Sequence, residues 1–78
     1  MRAKSLKVVV TFRTTTDAMA MERCCQDQAI PGRLIPLPTV LSADCGLCWA
    51  APADAEDAVR SALDRAGLRY AGVHLLLL

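Results

Sequence analysis

An α+β fold with its elements in the order β-α-β-β-α-β is what this 78-residue sequence predicts. Three observations point to it. A β-branched run near the N-terminus reads as a buried strand. Two stretches carry apolar residues at helical spacing. The segments between and after the helices are short apolar runs bounded by Gly and Pro.

The first element, Lys7 to Phe12, is Lys-Val-Val-Val-Thr-Phe, the composition of a buried strand. Thr14, Thr15, Thr16 and Asp17 follow, residue types whose side-chain oxygens accept from the orphan N–H groups of a helix start. Asp17 to Gln28 then lacks Gly and Pro and sets Ala18, Met21 and Cys25 at helical spacing, so it is expected to be the first helix. Ile30-Pro31-Gly32 is a turn signal. Arg33 to Ile35 is a short second strand that ends near Pro36 and Pro38, because proline cannot donate to a ladder. Pro36 to Gly46 reads as a loop and Leu47 to Ala51 as a third strand. Pro52 opens a second helix with Asp54, Glu56 and Asp57 in its first turn and Arg65 in its last. Its apolar stripe is Ala55, Ala58, Val59, Ala62, Leu63 and Ala66, and Gly67 suits the left-handed residue that stops it. Leu68 to Leu77 supplies a fourth strand. With right-handed crossovers this order gives a ferredoxin-like sandwich, two helices on one face of a four-stranded antiparallel sheet.

Length predicts a single domain over residues 1–78, near the lower limit for a self-sufficient core. The hydrophobic fraction, 54%, is high for so small a chain, and one sheet face lacks a helical cover. Both favour a homo-oligomer. Nine Lys and Arg against eight Asp and Glu give a net charge of +1, which argues against nucleic acid as a partner. One Trp, one Tyr and one Phe do not make a base-stacking platform. No apolar run is long enough to span a membrane. Arg2, Lys4 and Lys7 precede only Val8 to Val10, too little for a signal-peptide core. The expectation is therefore a cytoplasmic protein whose four cysteines are thiols.

In the predicted topology the loop between strands two and three lies at the same sheet edge as the start of helix one and the turn after helix two. Cys45 in that loop should therefore approach Thr15, Thr16 and Asp17. A helix N-terminus stabilises a thiolate, the reactive form of cysteine. Gly46 permits a sharp turn or close approach of a substrate, and Arg13 is the nearest basic residue. Read from the residues alone, Cys45 is more often a small packing residue than a functional thiol, and Arg13 serves equally as a solvated one. Cys45-Gly-Leu-Cys48 has the spacing of a redox pair, but it enters a strand, where an offset of three sends side chains to opposite faces. Cys24 and Cys25 fall toward the other end of helix one, which favours packing over a zinc site. His74 has no partner identifiable by spacing. Met19 and Met21 read as helix packing, and Trp49 as a cover for the sheet. The common nucleotide-binding, hydrolase and metalloprotease motifs are absent from the sequence.

Thr11 to Glu22, Ile30 to Pro38 (Ile-Pro-Gly-Arg-Leu-Ile-Pro-Leu-Pro) and Leu41 to Leu47 (Leu-Ser-Ala-Asp-Cys-Gly-Leu) together resemble the putative selenium/sulfur carrier-like family of small bacterial domains. The similarity runs from about Val8 to Tyr70. It implies that a cysteine holds sulfur or selenium as a persulfide or perselenide between a donor and an acceptor protein. The family's recurrent cysteine falls on Cys45, with Asp44 where a glycine usually stands. Members often carry leucines at the positions of Cys24 and Cys25 and a small residue at that of Cys48. A carrier needs no cofactor or resident metal and is not a turnover enzyme; it should present a solvent-accessible Cys45. The alternatives are a ligand-binding or protein-interaction module without thiol chemistry, which predicts a buried Cys45, and a redox or metal protein using Cys45 with Cys48.

Overall fold

The computed structural model describes residues 3–78, so Arg2 lies outside it. It contains β1 (Leu6–Thr11), α1 (Thr15–Asp27), β2 (Arg33–Pro36), β3 (Leu47–Pro52), α2 (Glu56–Arg65) and β4 (Gly72–Leu77), with a 3-10 turn at Ala53–Ala55 leading into α2. The four strands form one sheet in the order β2-β3-β1-β4, every neighbouring pair antiparallel. Two helices on such a sheet make the ferredoxin-like arrangement that the element order predicts. The molecule is a thin slab with extents of 35 × 26 × 16 Å.

Both helices begin and end for identifiable reasons. Thr14 caps α1, its hydroxyl accepting from Asp17 N–H at 3.1 Å. At its other end Ile30 N–H reaches Cys25 C=O and Ala29 N–H reaches Gln26 C=O, a Schellman motif whose left-handed position is Ala29, φ 55°. α2 stops the same way, with Leu68 N–H on Leu63 C=O and Gly67 N–H on Asp64 C=O. There the left-handed residue is the expected Gly67, φ 59°. That stop also shortens the predicted fourth strand: residues 68 to 71 form the connecting turn, and pairing with β1 starts at Gly72. Pro52 ends β3 rather than opening α2, because the 3-10 turn intervenes.

The core lies between the helices and one sheet face. Val8 and Val10 of β1, Trp49 and Ala51 of β3, and Phe12 meet Ala18, Met21 and Cys25 of α1 and Val59 and Leu63 of α2. Cys25 is thus core packing, as the helical spacing implied, whereas Met19 is half exposed. Ala58 and Ala66, expected on the α2 stripe, face solvent, so the buried stripe narrows to Ala55, in the 3-10 turn, and Val59, Ala62 and Leu63. Trp49 lies under the helices, between Leu34 and Val10 in the strand register. Gly32, φ 134°, crosses its indole so closely that a Cβ there would stand 2.5 Å from Trp49 Nε1. Among the described residues no acceptor reaches that buried Nε1.

The far face of the sheet carries no helix. Its central residues Val9, Thr11 and Cys48 are already buried, at 0%, 2% and 0% exposure. Gly72 contributes to this, because the His74 imidazole and the Thr11 hydroxyl both lie over the space a side chain would take. The exposed apolar side chains gather elsewhere, with Leu6, Leu75 and Leu77 on the helix side of the β1–β4 edge.

Candidate functional site

β1 delivers the chain to the N-terminus of α1, and β3 begins at the same sheet edge. The β2–β3 loop, Leu37 to Gly46, returns there, held by Leu37 N–H to Gly46 C=O at 2.9 Å. In an unbroken β1–β3 ladder Phe12 would pair with Leu47, one step beyond Thr11 and Cys48. Instead Phe12 C=O accepts from Cys45 N–H at 3.3 Å, and Leu47 N–H points at Cys45 Sγ, 3.4 Å away. The thiol therefore takes the acceptor's place in one rung of the sheet.

The Thr15 hydroxyl, in the first turn of α1, lies 3.9 Å from the same sulfur. Thr14 engages Asp17 N–H through its hydroxyl and Ala18 N–H through its carbonyl, at 3.1 and 3.2 Å. Among the described residues, the Thr15 and Thr16 N–H groups have no protein acceptor, the usual condition of a helix start. Sulfur, hydroxyl and the positive end of the α1 dipole thus lie together.

The other sequence candidates divide. Thr16 is exposed and Asp17 half-buried at the same helix end. Gly46 is exposed but has neither a positive φ nor any atom within 4 Å of a Cβ built on it, so the turn there does not demand glycine. Arg13 is exposed and, with Thr14, Asp17, Leu68, Arg69 and Tyr70, lines a groove of about 470 Å³. Cys45 does not line that groove. The expectation of an accessible thiol is not met: Cys45 is 4% exposed and belongs to the core cluster, because its side chain turns under the loop toward Phe12 and α1.

Three contributors escaped the sequence reading. Leu47 acts through its backbone N–H, which no side-chain pattern signals. Arg69 and Tyr70 were accessible in principle, since the topology already places the α2–β4 turn at this edge.

The remaining cysteines are free thiols set apart from this arrangement. Cys48 faces the opposite side of the sheet from Cys45, so the predicted offset across a strand keeps the two on different faces. Cys24 is half-buried and accepts from Gln28 Nε2 at 3.3 Å. Among the described residues no cluster of His, Cys, Asp and Glu is placed to hold a metal ion. Burial first, and the neighbouring Cys45 second, push the Cys48 thiol up to about 11 from 9.0. Burial and then Cys24 do the same to Cys25, also to about 11. Both folded values lie above the unfolded one, so neither thiol affects stability below pH 9. As pH climbs from 9 through 11 the unfolded chain loses these protons first and the fold is weakened. By pH 10.5 this amounts to about 2 kcal/mol per thiol. Urea midpoints measured at pH 8 and 10.5 should fall accordingly, and Cys48→Ala should remove one thiol's share of that fall.

An α+β sandwich with one thiol held by a backbone donor and beside a hydroxyl at the start of its first helix defines a small cysteine-bearing domain of ferredoxin-like arrangement. The chain belongs to the Putative Se/S carrier protein-like family, whose model matches residues 7–75. No curated protein and no solved structure matches it. Among the described residues no helix is long and apolar enough to cross a membrane.

Proposed function

We propose that the protein carries sulfur or selenium between two proteins on Cys45. The observation that supports this reading is the pair of groups at its sulfur: Leu47 N–H donates to it at 3.4 Å, and the Thr15 hydroxyl lies 3.9 Å away, where it donates once the sulfur is a thiolate. Such donors stabilise the negative charge of a thiolate, and of the persulfide or perselenide that succeeds it. Loading requires the β2–β3 loop to uncover Cys45, which is 4% exposed; its thiolate then attacks the outer sulfur of a donor protein's persulfide. The donor's S–S bond breaks, its cysteine leaves as a thiolate, and the outer atom stays on Cys45 as Cys45–S–S⁻. Attack by an acceptor thiolate on that outer atom reverses the sequence. No external oxidant or reductant is consumed, so the protein is a carrier that needs no cofactor. It works between a donor and an acceptor in the cytoplasm.

The test is mass spectrometry after incubation with a cysteine desulfurase and cysteine. The expected result is a gain of about 32 Da, one sulfur atom on one thiol. It should be abolished by Cys45→Ala and kept in Cys24→Ala. No gain, or a gain that maps to Cys24, would end the carrier reading.

The 4% exposure of Cys45 favours a second reading, a ligand-binding or protein-interaction module without thiol chemistry. A depression of about 530 Å³ at the far end of the sheet, lined in part by Lys7, Gly32, Arg33, Ile35 and Pro52, offers it a place for a ligand. A thermal-shift hit unchanged by Cys45→Ser would support this reading over the carrier.

A further inference from the structure

We infer that two copies of this chain join through their β4 strands, antiparallel about a twofold axis at Leu75, to make one eight-stranded sheet. The inference stands apart from the carrier reading.

The two edges of the sheet differ. β2 is four residues long and carries Arg33 and Pro36, features that protect an edge from pairing. β4 runs for six residues, Gly-Val-His-Leu-Leu-Leu, without a Lys, Arg, Asp, Glu or Pro. Ser5 and Leu78 exchange both backbone hydrogen bonds, each at 3.1 Å, which fixes the phase of the β1–β4 ladder. Antiparallel pairs alternate, so Gly72, His74, Leu76 and Leu78 turn their backbone groups toward β1. Val73, Leu75 and Leu77 turn theirs to the open edge.

Those same three residues put their side chains on the helix face, where Val73 packs against the core and Leu75 stands opposite Val8. Leu75 and Leu77 remain 47% and 64% exposed, and Leu6, opposite Leu77, 46%. The free backbone groups and the uncovered apolar side chains therefore belong to one set of residues, and that set is symmetric about Leu75.

A second copy satisfies both needs at once. With the axis at Leu75, Val73 stands opposite Leu77 of the other copy and Leu75 opposite itself, each pair exchanging both backbone bonds. On the other face His74 meets Leu76. No charge meets its like, as an isologous contact requires. A foreign strand, by contrast, would find no charge on β4 to recognise.

Sedimentation velocity on the full chain from about 1 to several hundred μM tests the interface, which falls in the small, concentration-dependent class. The expected result is a concentration-dependent doubling of mass. Leu75→Lys and Leu75→Glu should each sediment as monomers with unchanged circular dichroism, because each sets like charges across the axis. An equimolar mixture of the two should regain the dimer, since only a twofold axis at this residue pairs Lys with Glu. A monomer at every concentration, a dimer that survives both substitutions, or a mixture that stays monomeric would overturn the inference.

Discussion

Gly32→Ala should be among the most destabilising single substitutions in this protein, lowering stability by at least about 3 kcal/mol. Two costs coincide there. The backbone holds φ at 134°, a region that a side chain strains to occupy. The new methyl would also stand 2.5 Å from Trp49 Nε1, 2.7 Å from Trp49 Cε2 and 2.8 Å from Ala50 C=O. None of these yields cheaply, because Trp49 is 2% exposed and Ala50 is held within β3. For a domain of this size the melting temperature should fall by more than about 10 °C. Two other glycines are internal controls. Gly67→Ala meets a positive φ but open space, and should cost about 1 kcal/mol; Gly46→Ala meets neither obstacle and should be near neutral. Thermal melts of the three variants that fail to fall in that order would show that the Gly32–Trp49 contact does not constrain the fold.

Phe12→Ala should cost about 3–5 kcal/mol, the usual range for emptying a fully buried aromatic site. A 78-residue domain holds only about 4–12 kcal/mol in total, so the variant should lose at least about a quarter of its stability. Phe12 also stands where β1 ends and its carbonyl holds Cys45 N–H. Loss of its ring should therefore raise the alkylation rate of the buried Cys45 and Cys25 toward that of Cys24. A urea midpoint within about 1 kcal/mol of the parent, with Cys45 still protected, would refute this.

Most of the architecture was legible because the signals were local. Val8 to Val10 announce a strand, Thr14 to Asp17 a helix start, and Gly67 a stop, each through the chemistry of a few adjacent residues. Topology alone then brought Cys45 to the first turn of α1. What stayed illegible depended on contacts between distant segments. Whether the Cys45 side chain turns outward or under the loop is decided by Phe12 and Leu47, and Leu47 contributes only its backbone N–H. The burial of Val9 and Cys48 depends on neighbours brought in from other strands, His74 standing opposite Val9 and Ile35 opposite Cys48. A left-handed Ala29 carries no sequence mark, because the residue that favours such a conformation is absent.

The thinness of the slab changes what concealment means for Cys45. Half of 16 Å is 8 Å, little more than the reach of one side chain. A side chain hidden in so shallow a body has little depth of protein above it, and the Cys45 N–H to Phe12 C=O bond, 3.3 Å long, is one of the contacts that keep it there.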